Sequence, residues 1–248
     1  MASRPLQGRT ALVTGAARRV GRSIALALAE NGANVVIHYR ESADEAQDLC
    51  RAIAPFDVQT WLVNADFEQE AERASLIDRA IRAAGSLDFL VNNASIFTAS
   101  TMDDLTLGDL QHIIEVNTWA PFVLMRDFAR LARRGKIVNL LDTRVNGYDF
   151  AHVPYSLSKR LLAVLTTMAA LHYAPDITVN AVAPGLILPP AGKDDRYLDQ
   201  LALGAPLKRH GSPADVADAV VYLLRNDFIT GQVINVDGGT HIGAVGSC

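Results

Sequence analysis

The amino-acid sequence predicts an α/β fold: a single domain over residues 1–248 with one doubly wound parallel sheet and helices on both faces. Short apolar segments rich in β-branched residues alternate along the whole chain with longer segments of helical periodicity. The apolar segments lack polar/apolar alternation, which is typical of strands buried on both faces of a parallel sheet. No linker-like run or internal repeat divides the pattern, so we expect one dinucleotide-binding type of domain.

Seven short apolar segments are predicted to be strands. The first, TALVT, leads into a glycine, and the second, NVVIHY, is rich in β-branched residues. The predicted strands are residues 10–14, 34–39, 58–63, 87–91, 136–141, 178–182 and 233–236.

The segments between the strands have the spacing of amphipathic helices. Ser42 with Glu45 indicates a capping box, and Ser212 before Pro213 also reads as an N-cap. The sequence does not fix the junction between residues 107–116 and 117–133. The predicted helices run from about 24 to Gly32, then 43–53, 68–84, 107–116, 117–133, 152–173, 194–203 and 213–225.

Composition excludes several classes of partner. Of 248 residues, 50% are hydrophobic and 20% are charged, and the formal net charge is −4 without a basic run. We therefore expect no nucleic-acid or anionic-membrane partner. The N-terminus lacks the apolar core of a secretory signal, and Cys50 and Cys248 have neither metal-ligand nor disulfide spacing. A cytoplasmic protein without a metal is the expectation.

The first strand-to-helix turn is a candidate phosphate site. It reads TGAARRVG, from Thr14 to Gly21. Gly15 and Gly21 would let the backbone approach a phosphate, the following helix N-terminus favours an anion, and Arg18 and Arg19 add positive charge. A tight turn without a ligand would use the same glycines. The position in the first β-turn-α unit favours the nucleotide interpretation.

The end of the second strand bears on the type of cofactor. An NAD site usually has an acidic residue about 20 positions beyond the glycine turn. Here the strand ends without a carboxylate before Glu41, whereas Arg40 and Ser42 could hold a 2′-phosphate. NADP is therefore favoured. A solvated Arg40 is the alternative interpretation.

Two further polar residues follow buried segments. Asp66 could accept a hydrogen bond from an adenine amino group, or it could cap the next helix. Asn117 lies on the same helical face as Ile113 and Ile114, so its amide would be buried and would need partners.

Tyr155 and Lys159 are four residues apart in a predicted helix, hence on one face, one turn apart. A phenol ordinarily ionises near pH 10, and a fixed cation beside it favours the phenolate. The pair is therefore a candidate general acid/base. Any helix can contain such a pair by chance, so this pattern is weak by itself.

Taken together, these features resemble those of the short-chain dehydrogenase/reductase family along nearly the whole chain. The matching motifs are Thr14-Gly15…Gly21, Asn92-Asn93-Ala94, Asn117, Tyr155-x-x-x-Lys159, Pro184-Gly185 and Asp237-Gly238-Gly239. The resemblance implies that Tyr155 donates a proton, that Lys159 binds the nicotinamide ribose and lowers the tyrosine pKa, and that Asn117 organises a relay water. It also implies a cofactor cleft lined by Val20, His38, Tyr39, Asn93, Ala94, Ser95, Pro184 and Gly185.

Two residues depart from the usual family pattern. A serine usually stands thirteen residues before the tyrosine, where this chain has Asp142, and the middle glycine of the turn is Arg19. A carboxylate would oppose a developing alkoxide, whereas a carboxyl group can hydrogen-bond or protonate a ring nitrogen.

Both departures resemble pteridine reductases and dihydromonapterin reductases. The turn through Ser23, the pattern His38-Tyr39-x-x-Ser42 and the pattern Asn93-Ala94-Ser95-x-Phe97 are also similar to theirs. This resemblance implies that Phe97 stacks on a pterin with Ser95 near it, and that Arg19 reaches substrate or cofactor. Otherwise Phe97 would be interpreted as an aromatic plug of the core.

The expected function is NADPH-dependent reduction of a dihydropterin to a tetrahydropterin, with Asp142 orienting the substrate. The alternatives are a carbonyl reductase acting on a 3-oxoacyl group or small ketone, and a cofactor-binding sensor without turnover. The segment 185–204 should cover the substrate, although residues 186–197 contain no assignable motif. The family resemblance implies a homotetramer built partly on residues 117–133 and 152–173, with the tail 241–248 near a neighbouring subunit.

Overall fold

A computed structural model describes residues 4–190 and 192–243. Within them, seven strands form one parallel sheet in the order β3-β2-β1-β4-β5-β6-β7. The strands are β1 Thr10–Val13, β2 Asn34–Tyr39, β3 Thr60–Asn64, β4 Phe89–Asn92, β5 Gly135–Leu140, β6 Ile177–Pro184 and β7 Val233–Val236. The doubly wound parallel sheet that the sequence predicts is confirmed.

The helices cover both faces of this sheet. They are α1 Arg19–Glu30, α2 Ala43–Ile53, α3 Glu70–Ala84, α4 Leu107–Ile114, α5 Ala120–Leu131, α6 Val153–His172, α7 Asp195–Ala202, α8 Pro213–Arg225 and α9 Thr240–Gly243. Residues of α1, α2 and α8 form one apolar core with the sheet. Residues of α3, α5 and α6 form a second core on the opposite face. Strands buried from both sides explain why their sequences do not alternate.

The chain reverses direction across the sheet between β1 and β4. From β1 it winds outward through β2 to β3, then returns to β4 and winds the other way. Val13 at the end of β1 pairs with Ile37 of β2 on one side and Val91 of β4 on the other. In doubly wound folds the crevice at such a reversal is where ligands bind.

Some predicted boundaries are wrong by a few residues. Helix α1 begins at Arg19 rather than near Ile24, because its first turn is rich in polar residues and glycine and only Val20 extends the apolar pattern into it. Helix α3 begins at Glu70 rather than 68, since the Asp66 carboxylate accepts a hydrogen bond from Glu68 N at 3.0 Å and forms a turn first.

The junction that the sequence left open is a π-helical segment, Glu115–Trp119, between α4 and α5. The chain therefore does not leave the helix between Leu107 and Leu131. A π segment contains one residue more per turn than an α-helix, and such segments are frequent at functional sites. Asn117 lies at its centre and is completely buried.

Only one of the two predicted serine caps is formed. At α8, Ser212 Oγ accepts from Asp215 N and Asp215 Oδ2 accepts from Ser212 N at 2.7 Å, which confirms that cap. The capping box at Ser42 is wrong: the backbone of Ser42 is not extended, so its side chain makes no cap, and Glu45 pairs with Arg18 at 2.5 Å instead.

No helix in the described ranges is both long enough and apolar enough to span a bilayer. The same ranges contain no cluster of three or more His, Cys, Asp or Glu side chains that could hold a metal ion.

Candidate active site

The candidate site lies at the carboxyl ends of the strands, beside the reversal between β1 and β4. The glycine turn follows β1, Asn93 and Ala94 follow β4, Asp142 follows β5, and Gly185 follows β6. Because parallel strands end at a common edge, these four segments are brought together although they are far apart in sequence.

The glycine turn is tightly packed and needs its two glycines. Gly15 has a φ of +61°, which favours glycine, and a Cβ on Gly21 would lie 2.3 Å from the Gly15 carbonyl oxygen. Asn93 Nδ2 donates to the carbonyl oxygens of Thr14 at 2.8 Å and Gly15 at 3.1 Å. Asn93 therefore fixes the shape of the turn from the neighbouring strand.

His38 lies beneath this turn and is buried. Its Nδ1 accepts from Gly15 N at 3.0 Å, and its Nε2 contacts the Ala65 carbonyl oxygen at 3.0 Å. Since a carbonyl can only accept, Nε2 carries the proton and the ring is neutral. Burial lowers the pKa of His38 from 6.5 to about 4. Both ring nitrogens are used by backbone groups, so His38 supports the turn.

The residues expected to select the cofactor lie at the rim. The Arg40 guanidinium is about half exposed and lies 3.3 Å from each of two carboxylates, those of Glu41 and Glu68. Ser42 and Tyr39 are half-buried beside it. Asp66 is also half-buried, and its carboxylate accepts from Glu68 N in a turn that precedes α3. Because α3 begins without a side-chain cap, the capping alternative for Asp66 is wrong.

Arg19 connects the glycine turn with the segment after β6. It has a φ of +53°, and its Nη2 donates to the Pro189 carbonyl oxygen at 3.0 Å. The predicted substrate segment 185–204, of which Ala191 lies outside the described residues, contains α7, which confirms the short helix predicted over 194–203. Gly185 lies against Asp237, where a Cβ would approach within 2.7 Å of the Asp237 Cβ.

Tyr155 and Lys159 share one face of α6, as the spacing predicts. Tyr155 is buried, and its hydroxyl donates to Asp142 Oδ2 at 3.1 Å. Lys159 Nζ donates to the Leu140 carbonyl oxygen at 2.8 Å and lies 5.7 Å from the centre of the Tyr155 ring. Tyr155 thus lies between Asp142, which accepts its hydrogen bond, and Lys159, which lies near its ring.

The electrostatics of Tyr155 differ from the expectation. Burial and the Asp142 carboxylate raise the pKa of Tyr155 well above 10, and the nearby cation that opposes this is Arg144 rather than Lys159. Burial also lowers the pKa of Lys159 to about 8, although Asp142 partly offsets this. The expected lowering of the tyrosine pKa by Lys159 is therefore wrong, and Tyr155 is a protonated donor.

Arg144 is a site residue that sequence reasoning missed. Its backbone N donates to Asp142 Oδ1 at 2.9 Å, and its Nη1 donates to Asp142 Oδ2 at 2.9 Å. The only sequence signal is a basic residue two positions after the unusual aspartate. The short 3₁₀-helix Thr143–Asn146, which folds Arg144 back onto Asp142, was not predicted.

Phe97 forms one wall of the site. Its ring is 47% exposed, which argues against the core-plug interpretation. It stacks on His152 with ring centroids 4.3 Å apart, contacts Tyr155 edge-on at 4.7 Å, and lies 5.3 Å from the Arg144 guanidinium. Ser95 is exposed two residues earlier. A planar ligand could cover the free part of this aromatic surface.

Asn117 is a satisfied buried amide. Its Oδ1 accepts from Ile96 N and its Nδ2 donates to Ile96 O, both at 2.9 Å, and it also donates to Ser158 Oγ at 3.2 Å. The π-helical segment therefore holds the strand-to-helix loop next to Phe97 and connects it with α6.

A doubly wound sheet with a glycine turn at its reversal and a tyrosine–lysine pair at the same edge is the architecture of dinucleotide-dependent oxidoreductases. A family model described as enoyl-(acyl carrier protein) reductase matches residues 15–241. The chain belongs to the short-chain dehydrogenase/reductase family and is an oxidoreductase.

Curated relatives and solved structures agree with this assignment. The 3-oxoacyl-[acyl-carrier-protein] reductase FabG of Staphylococcus epidermidis is 34% identical over 94% of this chain and 99% of its own length. A putative ketoacyl reductase of granaticin polyketide synthesis from Streptomyces violaceoruber is 31% identical over 98% of this chain and 100% of its own. The structure of FolM alternative dihydrofolate reductase 1 from Brucella suis, in complex with NADP, is 33% identical with a TM-score of 0.89, covering 95% and 96% of the two chains.

The buried His38 predicts a specific acid sensitivity. Because its pKa is about 4 in the folded protein and near 6.5 when unfolded, the unfolded state takes up the proton first as the pH falls. The stability contributed by neutral His38 is complete above about pH 6.5 and is lost progressively toward about pH 4, with a limit of roughly 3 kcal/mol.

Urea unfolding of the parent and of His38→Gln at about pH 7 and about pH 4.5 measures this loss of stability. The parent should lose more stability than the variant, and His172→Gln, at an exposed histidine, should behave like the parent. Equal losses in parent and His38→Gln would contradict the assignment.

Proposed function

We propose that this protein is an NADPH-dependent reductase of a pterin, converting a dihydropterin to the tetrahydropterin. The observation that carries the proposal is the Asp142 carboxylate, hydrogen-bonded at 3.1 Å to the hydroxyl of Tyr155, whose ring contacts the half-exposed Phe97 ring edge-on. A pterin is a planar aromatic ring system with N–H donors along one edge, so it matches an aromatic wall with a carboxylate beside it. The similarity to a structure named alternative dihydrofolate reductase supports the same substrate class.

The residues present fit a bound NADP. Gly15 and Gly21 permit a tight turn, in which a Cβ at position 21 would clash with the Gly15 carbonyl oxygen, and the N-terminus of α1 and Arg18 supply positive charge beside it. Arg40 would bind the 2′-phosphate in place of its present carboxylate partners, and Lys159 and Asn93 would line the nicotinamide end. When bound, NADPH supplies the hydride.

The chain's own residues would move and place the proton. Tyr155, which burial and Asp142 keep protonated, would donate it directly or through water held near Asn117. Asp142 would accept hydrogen bonds from substrate N–H groups and so orient the ring, while Phe97 stacks on it. Arg19, which already contacts Pro189, would close the substrate end of the cleft.

A second candidate is a carbonyl reductase of 3-oxoacyl groups or small ketones. The curated relatives that are ketoacyl reductases favour it. Arg144 favours it too, since a guanidinium 2.9 Å from Asp142 offsets the charge that would otherwise oppose a developing alkoxide.

Substitution of Asp142 distinguishes the two candidates. If the substrate is a pterin, Asp142→Ser should lower kcat/KM for dihydropterins roughly ten- to hundredfold, the loss expected for a hydrogen bond to a charged group, with the NADPH Kd unchanged. Tyr155→Phe serves as the reference that should lose turnover on every substrate. Steady-state NADPH oxidation with a panel of dihydropterins, ketones and oxoacyl thioesters measures both. A parent inactive on every dihydropterin, with Asp142→Ser faster on ketones, would reject the pterin proposal.

Cofactor preference tests the role of Arg40. Arg40→Ala should weaken NADPH binding roughly ten- to hundredfold and leave NADH binding unchanged, because only NADPH carries the 2′-phosphate. Fluorescence titration of both cofactors measures this. Arg51→Ala is the matched control, since Arg51 pairs with Asp48 on the exposed face of α2. Equal weakening of both cofactors would remove Arg40 from the phosphate site.

We also propose a homotetramer. Helix α6 exposes an apolar stripe with helical spacing, made of Leu157, Leu161, Val164, Met168 and Leu171. A second apolar surface lies along α4 and the π segment, including Leu107 and Trp119. Such exposed patches are typical of subunit interfaces. Of the predicted tail contact, residues 244–248 lie outside the described residues.

Light scattering tests this assembly. The parent should have four times the chain mass of 26.7 kDa at micromolar concentration, and Met168→Glu should reduce it, because a charge in the α6 stripe would have to be desolvated on association. Arg82→Glu, at an exposed position on α3, is the control. A monomeric parent would refute the proposal.

A further inference from the structure

We propose that Arg144 is a positioning residue of the reductase site: it fixes the Asp142 carboxylate against the Tyr155 hydroxyl and offsets its charge there. This inference rests on the proposed role of Tyr155 as proton donor. It does not depend on whether the substrate is a pterin or a ketone.

The contacts of Arg144 hold both oxygens of Asp142. The backbone N of Arg144 donates to Oδ1 and the guanidinium Nη1 donates to Oδ2, each at 2.9 Å. Oδ2 is also the atom that accepts the hydrogen bond of the Tyr155 hydroxyl, at 3.1 Å. With both oxygens engaged, the carboxylate has no freedom to rotate away from the tyrosine.

Arg144 is itself held from the opposite side. Its Nε donates to Asp149 Oδ2 at 2.6 Å, and that carboxylate also accepts from the backbone N–H groups of Ala151 and His152. The His152 ring contacts Asp149 at 3.0 Å and stacks on Phe97. A planar guanidinium with fixed donor directions can bridge two carboxylates in this way, whereas an ammonium has no such geometry. Arg144 thus connects the aromatic wall with the proton donor.

Charge gives Arg144 its second effect. The Asp142 side chain is only 15% exposed and lies next to the group that must release a proton. An unpaired carboxylate at this place would hold the Tyr155 proton more tightly and oppose negative charge arising on the substrate. Lys159 is also near, but its ammonium donates to the Leu140 carbonyl. Arg144 is the cation in direct contact with Asp142 among the described residues.

A double-mutant cycle tests whether Arg144 acts through Asp142. The cycle compares the parent, Arg144→Gln, Asp142→Ser and the double variant on whichever dihydropterin, ketone or oxoacyl thioester the parent reduces. We expect Arg144→Gln to lower kcat about tenfold or more in the parent, and to change it by no more than about twofold in the Asp142→Ser background. The NADPH Kd should be unchanged in all four proteins.

Three further measurements separate positioning from a merely structural role. Arg144→Lys should recover part of the loss through its charge but not all of it, since its geometry differs. Externally added guanidinium ion should partly restore kcat to Arg144→Ala, because the side chain is 36% exposed and the vacated space is accessible. Arg126→Gln is the matched control: Arg126 makes two hydrogen bonds to Asp127 on α5, at 2.9 and 3.1 Å, and should be silent in kcat.

Two results would overturn the proposal. One is an equal loss of kcat from Arg144→Gln in both backgrounds, which would mean that Arg144 acts independently of Asp142. The other is a crystal structure of Arg144→Gln in which the Asp142 carboxylate keeps its place beside Tyr155. Activity on ketones alone would reject the pterin substrate and leave the cycle fully interpretable.

Discussion

The site depends on the hydrogen bonds that join the end of β1 to the end of β4, and Thr14 and Asn93 make these bonds. The Thr14 hydroxyl accepts from the backbone N–H groups of Asn93 and Ala94 at 2.9 and 3.0 Å, while the Asn93 amide donates to two carbonyls of the glycine turn. These bonds join two strand ends 79 residues apart in sequence. His38 supports the same turn from below. The protein's own hydrogen bonds therefore hold the shape of the turn, which reduces the free energy of ordering that a ligand would have to supply.

The chemical part of the site is built differently, from residues close together in the chain. The segment from the end of β5 to the first turn of α6 supplies all of them: Asp142, Arg144, Asp149, His152 and Tyr155. Charged groups alternate in sign through this segment, and each carboxylate is satisfied by donors from its neighbours. The result is a buried phenol that remains protonated next to a carboxylate. The segment thus sets the protonation state of the site.

Sequence reasoning recovered what depends on periodicity and missed what depends on local backbone geometry. The strands of the sheet follow from runs of apolar residues, and the shared face of Tyr155 and Lys159 follows from their spacing of four residues. The Ser42 cap failed because its backbone is not extended, and Arg144 was missed because an unpredicted 3₁₀ turn brings it back to Asp142. The pKa of Tyr155 was predicted in the wrong direction, since burial and the position of a carboxylate are three-dimensional properties.

The π-helical turn at Glu115–Trp119 should make this segment more sensitive to a change in its number of residues than to an exchange of an exposed side chain. Its wider turn accommodates one residue more than an α-helix would, and this extra residue places Asn117 against the backbone of Ile96. Loss of a single residue here would restore a regular α-helical turn, and because the wide turn already absorbs the extra residue, α4 and α5 would keep about their present orientation. Inside the turn, however, successive residues are about 100° apart, so Asn117 would no longer lie against the backbone of Ile96. The segment should therefore tolerate exchange of Trp119, its one exposed residue, far better than a change in its residue count.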